Sequence, residues 1–382
     1  MRLYDRTTVA EFLDDRIVYR NLEPADPRLP GLAGAWREMG LPGPQVPRKA
    51  DMGYAQVIVH LLRRAQEVAM PGEALERFLY VGDTQLLDGT AYRNISAVSG
   101  WPGLAFIASE KPSEPPRLAR EGTIFLANRW ALLAEFLTRA EAEGIRVGPG
   151  TALVIDLDKT ILGARGRNDG AIDRARVDGV RETVAALLGP GFDEPAFGRA
   201  YGELNQPAYH PFTADNQDYL AYICLVVGSG MIEFEALLTA VQQGTLRDFA
   251  GFLERIAPRA AQAEPRLAAL HQDISTRVAA GDPTPFKEFR RREYLATVAR
   301  LGHLADDAPI EVRLREEILI TQEVREAALT ARRRGALVFG LSDKPDEASL
   351  PTEEARARGL QPLHRTPTHA CGESLPASWG PA

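Results

Sequence analysis

The stretch Ala152-Leu153-Val154-Ile155-Asp156-Leu157-Asp158-Lys159-Thr160 decides how the rest of this chain is interpreted. Its apolar part, which follows the turn residues Gly148-Pro149-Gly150, predicts a buried strand. Asp156 and Asp158 are two residues apart, so they project from the same side of the chain where that strand ends. In a doubly wound α/β sheet, ligands bind at this end of the strands. The stretch therefore predicts a ligand site that contains two carboxylates.

A second acidic pattern lies upstream, in Tyr80-Val81-Gly82-Asp83-Thr84-Gln85-Leu86-Leu87-Asp88-Gly89. It again places a carboxylate at the end of an apolar strand. Glycine before Asp83 would let the backbone come close to a metal ion and a phosphate group. The alternative is a surface turn, because Asp-Gly is a common turn pair. The spacing of an EF-hand calcium loop is absent.

A third pattern follows the apolar residues 336–341, which predict another strand, and reads Ser342-Asp343-Lys344-Pro345. A hydroxyl at a strand end, beside main-chain N–H groups, can hold a phosphoryl oxygen. Taken alone, Ser342 would be an ordinary turn serine. A nucleophile-elbow serine is not indicated, because the closing glycine of G-x-S-x-G is missing.

The pattern Asp156-x-Asp158-x-Thr160 after a strand resembles the first motif of the haloacid dehalogenase superfamily, whose members are mostly Mg²⁺-dependent phosphatases. The resemblance implies that Asp156 attacks phosphorus to form an aspartyl phosphate, and that Asp158 acts as general acid and base. The Gly-Asp pattern resembles the family's acidic motif, so Asp83 and Asp88 would complete a Mg²⁺ site with Asp156 and Asp158. Ser342 corresponds to the family's phosphate-binding hydroxyl, although Asp343 replaces the usual asparagine.

The family also uses a lysine at the start of the helix that precedes the acidic strand. Lys49 stands just before a helix that is predicted to begin near Asp51, and that helix leads to the strand before Asp83. Lys344, beside Ser342, is the competing candidate. Position in the pattern favours Lys49 as the catalytic lysine that balances the carboxylates and the phosphate group.

The order of the motifs differs from that of most family members, because here the acidic motif precedes the Asp156 motif and the serine motif comes near the C-terminus. The resemblance therefore predicts a circularly permuted α/β core with a doubly wound, Rossmann-like parallel sheet. Permutation is tolerated where the termini of a domain lie close together at its surface. The family's strand order predicts that neighbouring strands lie near residues 105–108, 78–82, 152–156, 336–341 and 360–364.

A chain of 382 residues suggests about two domains. We divide it into an N-terminal extension (1–45), a first part of the core (46–160), an inserted all-α cap (161–318) and a second part of the core (319–382). Caps exclude water and select the substrate. Arg165 and Arg167 could pair with a second anionic group on the substrate, unless they belong to loops and helix caps. The candidate substrate-binding residues are Thr160, Arg165, Arg167, Lys344 and His210.

The bulk composition sets limits on partners and compartment. A net charge of −7 and a pI near 5.6 give no basic signal for nucleic acid or an anionic membrane surface. With two cysteines, Cys224 and Cys371, a disulfide framework is not expected, and a reducing cytoplasm fits best. The most apolar run, 219–232, is too short to span a bilayer and predicts a buried helix. We therefore expect a cytoplasmic protein with neither a nucleic-acid nor a membrane partner.

The leading hypothesis is a Mg²⁺-dependent phosphatase of a small phosphorylated molecule. A phosphomutase or phosphotransferase would use the same residues but pass the phosphoryl group to a hydroxyl, and hydrolysis in ¹⁸O-labelled water separates the two reactions. A catalytically silent module that binds a ligand or partner is the third hypothesis. A dehalogenase is less expected, because Asp158 supplies an acid that halide displacement does not need. The sequence leaves the oligomeric state open.

Overall fold

The computed structural model describes residues 1–379, which divide into two compact units. The sheet unit consists of Met1–Arg174 and the chain from Thr297 onward, and the helical unit is Ala175–Ala296. The helical unit lies inside the range 161–318. Two separate segments of the chain therefore build the sheet unit.

Ten strands within the described residues form two sheets, and the larger one is a mostly parallel, seven-stranded sheet of an α/β fold. The strands are β1 (Arg2–Thr7), β2 (Ile17–Val18), β3 (Arg77–Gly82), β4 (Gly103–Ala108), β5 (Leu118–Glu121), β6 (Ile124–Ala127), β7 (Thr151–Asp156), β8 (Ile320–Thr321), β9 (Leu337–Leu341) and β10 (Thr368–Gly372).

The large sheet has the order β2-β9-β7-β3-β4-β6-β5, and every neighbouring pair is parallel except β5 and β6. Strands β4, β7 and β9 are buried along their whole length, as expected for parallel strands that are covered on both faces. The order β4-β3-β7-β9 confirms the predicted arrangement of four strands. Asp83 and Asp156 therefore belong to the ends of adjacent strands.

The fifth predicted strand, at 360–364, is wrong. Leu363–Arg365 forms a 3₁₀ turn, and the edge position beside β9 is taken by β2. Pro362 explains the error, because proline has no N–H to donate to a sheet ladder. Residues 17–18 gave no strand signal in the sequence, since two residues are too few to show a period.

The smaller sheet has the order β1-β10-β8. β1 runs antiparallel to β10, with Arg2 opposite Gly372, and β10 runs parallel to β8. A strand near the start of the chain therefore pairs with one near its end. The sequence predicted neither β1 nor β10.

Sixteen α-helices occur in the described part of the chain. They are α1 (Ala10–Leu13), α2 (Leu32–Ala35), α3 (Met52–Ala69), α4 (Asp88–Ser99), α5 (Leu133–Ala142), α6 (Asp169–Leu188), α7 (Glu194–Leu204), α8 (His210–Thr213), α9 (Gln217–Gly228), α10 (Phe234–Gln242), α11 (Phe249–Ala260), α12 (Pro265–Ala279), α13 (Lys287–Val298), α14 (Ile310–Glu316), α15 (Gln322–Arg333) and α16 (Glu353–Ala357).

The helix predicted to begin near Asp51 is α3, whose apolar face is buried as its spacing indicated. The helix predicted from about 123 to 143 is wrong in its first part, because Ile124–Ala127 is β6. Gly122, with a φ of 62°, supports the tight turn that joins β5 to β6. A β-branched and an aromatic residue, Ile124 and Phe125, then favour a strand.

The helical unit has its own apolar core, in which Tyr222, Phe249 and Phe252 pack edge to face or in stacked pairs. Its buried charges are paired, since Arg290 contacts Asp218 at 2.5 Å and Glu293 at 2.6 Å. The apolar run at 219–232 is confirmed as a buried helix over most of its length, in α9. None of the described helices is both long enough and apolar enough to cross a bilayer.

Candidate functional site

The candidate site lies at the carboxyl ends of three neighbouring strands. Asp156 is the last residue of β7, Asp83 directly follows β3, and Ser342 directly follows β9. Because β7 lies between β3 and β9, Asp156 is the central member of this set. Asp156 pairs in register with Leu341, the residue before Ser342. The three sequence motifs, written far apart in the chain, therefore meet at one edge of the sheet.

Lys49 reaches this edge from the segment that precedes α3. Its Nζ lies 2.5 Å from Asp156 Oδ1 and 2.6 Å from Asp88 Oδ1, and all three side chains are buried. Burial works to lower the pKa of Lys49, but the charges of Asp156 and Asp88 outweigh it and hold this pKa well above its usual value. Lys49 therefore places a positive charge between two carboxylates.

Asp88, the first residue of α4, is saturated with hydrogen bonds. Its Oδ1 accepts from Lys49 and from the Tyr80 hydroxyl at 3.0 Å. Its Oδ2 accepts from the Asp83 and Thr84 amides, at 3.1 and 2.8 Å, and from the Thr84 hydroxyl at 3.0 Å. A carboxylate has about four lone-pair positions, so these five donors leave little capacity for a metal ion. Asp88 holds the site together and is less suited to ligate an ion directly.

Gly82 is required beside Asp88, for a reason the sequence did not indicate. A β-carbon at position 82 would lie 2.5 Å from Asp88 Cγ and 2.6 Å from Asp88 Cβ. Such contacts are too short for any side chain to occupy. The glycine therefore makes room for the carboxyl group of Asp88.

Asp83 has a different environment. The Arg165 guanidinium makes an ion pair with Asp83 Oδ2 through its Nε. Burial and the nearby charge of Asp88 raise the pKa of Asp83 to about 7, although Arg165 opposes this. Burial also raises the pKa of Asp156 above its usual value, against the opposing charge of Lys49. Burial acts in the same direction on Asp88, but Lys49 and the hydrogen bonds that Asp88 accepts outweigh it and hold the pKa of Asp88 below its usual range.

The charges and distances fit a divalent cation. One carboxylate oxygen each from Asp83, Asp88 and Asp156 lies within 4.8 Å of the others. Two cationic side chains among the described residues, Lys49 and Arg165, form ion pairs with these three carboxylates. A third unit of negative charge must be neutralised by a proton or a cation, because buried like charges repel. Mg²⁺ prefers hard oxygen ligands, which the carboxylates of Asp83 and Asp156 could supply.

The loop after β7 carries Asp158 and Thr160. Asp158 is half-buried two residues beyond Asp156, and Lys159 has a φ of 63°, which turns the chain sharply. The turn is closed by the Leu162 amide, which donates to the Leu157 carbonyl at 2.9 Å. Thr160 is fully buried, and its hydroxyl has no hydrogen-bond partner among the residues that the structure describes. A buried hydroxyl without a partner costs about 1–3 kcal/mol, so a ligand that bonds to it would be favoured.

Ser342 and Lys344 are both buried at the end of β9. The Ser342 amide donates to the Val18 carbonyl in β2 at 2.9 Å, and its hydroxyl accepts from the Lys344 amide at 3.1 Å. The carboxylate of Asp343 forms an ion pair with Arg20. Val18 and Arg20, near the N-terminus, therefore hold the loop that carries Ser342. The sequence analysis had not selected either residue.

Arg167 differs from Arg165, although the sequence gave both the same role. Its guanidinium is bonded to Glu110 at 2.6 Å, to Glu323 at 2.8 Å and to the Cys371 carbonyl at 3.1 Å. A guanidinium that is committed to these buried partners is structural and is poorly suited to bind substrate. His210 belongs to the helical unit, where its Nε2 lies 3.5 Å from the Asp215 carboxylate.

Two contributors to the site escaped the sequence analysis. Tyr80 and Thr84 both donate to Asp88, and both stand within the quoted Gly-Asp stretch. The available signals were the phenol group of Tyr80 in an otherwise apolar strand and the hydroxyl group of Thr84 directly after Asp83. Neither showed which acidic residue it would contact.

Comparison of the chain with models of known protein families gave no match. A search of curated proteins found no matching sequence. A search of solved structures found no match.

Proposed function

We propose that this chain is a Mg²⁺-dependent phosphatase that acts on a small phosphorylated molecule, built on a permuted haloacid dehalogenase core, with the helical unit inserted in the chain where that family carries its cap. The observation that carries the proposal is the double contact of Lys49 with Asp88 and Asp156 beside Asp83. The three elements that supply these residues are separate in sequence. A buried lysine shared by a carboxylate at a strand end and a carboxylate at a helix start, beside the end of the adjacent parallel strand, is an arrangement suited to an anionic ligand.

In the proposed reaction, a carboxylate oxygen of Asp156 attacks the phosphorus atom. The bond from phosphorus to the ester oxygen breaks, and Asp158 gives its proton to the departing alcohol. Asp158 then takes a proton from water, which attacks phosphorus, releases phosphate and restores the Asp156 carboxylate. Lys49 holds Oδ1 of Asp156 throughout, so it orients the nucleophile and offsets charge on the transferring group.

The cation would be held by Asp83 and Asp156, with the main-chain carbonyl of Asp158 as a further ligand that the family resemblance implies. When bound, it would neutralise negative charge on the phosphoryl oxygens. The hydroxyls of Thr160 and Ser342, both buried, are placed in the loops that follow β7 and β9. They are the proposed contacts for phosphoryl oxygens, together with the Lys344 side chain.

The test compares wild type with Asp156→Asn in the hydrolysis of p-nitrophenyl phosphate and of a panel of phosphorylated metabolites, with and without Mg²⁺. We expect wild-type turnover to require Mg²⁺ and the variant to lose at least about 10³-fold in rate, since the nucleophile is removed. Asp193→Asn is the matched control. Asp193 caps α7 through the Ala196 amide, and asparagine caps a helix equally well.

Equal turnover by wild type and Asp156→Asn would refute the phosphatase proposal, as would the absence of turnover across the whole panel. Hydrolysis in ¹⁸O-labelled water adds a check on the reaction type. Label in the released phosphate supports hydrolysis, whereas phosphoryl transfer to a second substrate without label would favour the phosphotransferase.

A further inference from the structure

We propose that Arg165 and a divalent cation compete for the carboxylate of Asp83, so that binding of the cation releases the Arg165 guanidinium. The inference rests on the cation site proposed above and does not depend on hydrolysis. It concerns a residue that the family resemblance leaves without an assigned partner.

The contact itself is well defined. Arg165 makes its ion pair with Asp83 Oδ2 through Nε, across 82 residues of sequence. The backbone of Arg165 is fixed, since its amide donates to the Lys159 carbonyl at 2.8 Å and its own carbonyl accepts from the Glu110 amide at 2.9 Å. The side chain of Arg165 is 32% exposed. A fixed backbone with a solvent-accessible side chain allows the guanidinium to leave without unfolding the loop.

The two partners exclude each other on electrostatic grounds. A cation shared by Asp83 and Asp156 would use an oxygen of Asp83, the side chain that the guanidinium now engages. Two positive charges within a few ångströms repel strongly in a buried setting. Lys49 cannot relieve this conflict, because it is buried between Asp88 and Asp156. Of the two cationic side chains in the described part of the chain that pair with Asp83, Asp88 and Asp156, Arg165 is the one that is exposed enough to change position.

Arg167 provides an internal contrast. It lies two residues away and has the same chemistry, but its side chain is 5% exposed and its guanidinium is bonded to Glu110 and Glu323. Only Arg165 of this pair therefore combines a contact to the acidic cluster with access to solvent. Once released, it would be the arginine beside the site that can meet an anionic group of the substrate, and it would do so after the cation has bound.

The experiment is calorimetric titration of Mg²⁺ into wild type, Arg165→Gln and Lys159→Gln, with no substrate present. Lys159→Gln is the matched control, because it removes the same charge from the same loop while the Lys159 ammonium pairs with Asp173. We expect Arg165→Gln to bind Mg²⁺ about fivefold to tenfold more tightly than wild type, a coupling of ordinary size. Lys159→Gln should stay within about twofold of wild type, because the ion pair of Lys159 is with Asp173 and not with one of the three carboxylates.

Equal or weaker Mg²⁺ binding by Arg165→Gln would overturn the competition and leave the phosphatase proposal intact if hydrolysis still requires Mg²⁺. Absence of Mg²⁺ binding in both wild type and Arg165→Gln would overturn the competition and the cation site together. A second measurement uses wild type alone, labelled with ¹⁵N-arginine. The Arg165 Nε–H resonance should shift on addition of Mg²⁺ as its ion pair is lost, and an unchanged resonance at saturating Mg²⁺ would overturn the proposal.

Discussion

Lys49 and Asp156 are 107 residues apart in the chain, and an N···O contact of 2.5 Å joins them beneath the carboxyl edge of the sheet. Both side chains are buried, so the contact is made where water screens charge poorly. The same ammonium group also serves Asp88. Its removal would leave two carboxylates without their shared cation.

We expect Lys49→Met to lower the free energy of unfolding by about 3 kcal/mol at neutral pH, because removing one partner of a buried ion pair leaves uncompensated charge. Mg²⁺ should restore part of this loss if it binds the same carboxylates. Urea unfolding with EDTA and with Mg²⁺ measures both effects. Lys111→Met is the control, since Lys111 is 54% exposed and should change stability little. A Lys49→Met protein as stable as wild type would contradict the assignment.

Replacing Asp83 and Asp88 by asparagine should affect stability and Mg²⁺ binding differently. Asp88→Asn places N–H groups against donors that now bond to its carboxylate, and we expect a loss of about 2–4 kcal/mol in stability. Asp83→Asn removes a charge that is repelled by Asp88, so stability should change by less than about 1 kcal/mol while Mg²⁺ binding is lost. Urea unfolding and calorimetry test the two together. Equal destabilisation by both substitutions would disprove this division of roles.

Gly82→Ala should disturb the site through its contact with Asp88. The added methyl group would meet Asp88 Cγ at 2.5 Å, and overpacking of this kind costs about 1–3 kcal/mol. Thermal unfolding should show the loss, and Mg²⁺ affinity should fall because the loop that carries Asp83 moves. Gly198→Ala, in α7, is the control. A β-carbon there meets nothing within 4 Å, so the helix should gain about 0.5–1 kcal/mol. An undisturbed Gly82→Ala protein would rule out the packing argument.

His364 should make stability depend on pH in mildly acidic solution. Burial lowers its pKa from 6.5, even though its Nε2 lies 3.0 Å from Asp15. The unfolded chain therefore takes up a proton at His364 before the folded protein does, so stability is full above about pH 7 and falls as the pH drops toward the folded pKa. Each tenfold difference in proton affinity between the folded and unfolded states corresponds to about 1.4 kcal/mol of stability.

Urea unfolding of wild type and His364→Gln between about pH 5 and pH 7 checks the sign of this effect. The slope of stability against pH should be shallower in the variant, whatever its absolute stability. Asp15 does not contribute to the slope in this pH range, because its hydrogen bonds from Arg365 lower the pKa of Asp15 below 3.8. Identical slopes in the two proteins would show that His364 titrates alike in the folded and unfolded states.

The sequence predicted the parts of the fold that have strong local signals. The strands ending at Gly82, Asp156 and Leu341 are largely apolar runs, and the family resemblance supplied the expectation for their order. β2 has two residues and β10 contains Thr368 and His369, so neither shows an apolar run or a clear alternation. Their strand character comes from tertiary pairing, which overrides local preference.

The candidate site was predicted as a set of residues, but not as a set of contacts. Arg165 and Arg167 look alike in sequence, and only the fold shows that one faces Asp83 while the other is held between Glu110 and Glu323. Likewise, Asp88 was expected to ligate metal, and its five hydrogen bonds instead suit it to organising its neighbours. Which partner a charged side chain finds depends on distant segments, so local patterns could not supply it.

The pairing of β1 with β10 has a consequence for further circular permutation of this protein. Arg2 lies opposite Gly372, so the start of the first strand adjoins the end of the last. A short linker could connect these two strands, and new ends could be opened in a surface loop elsewhere. In such a protein the acidic motifs would follow one another along the chain in a different order, and the contacts of Asp156 would stay the same. The sequence in which the motifs are synthesised is therefore separable from the geometry that they build.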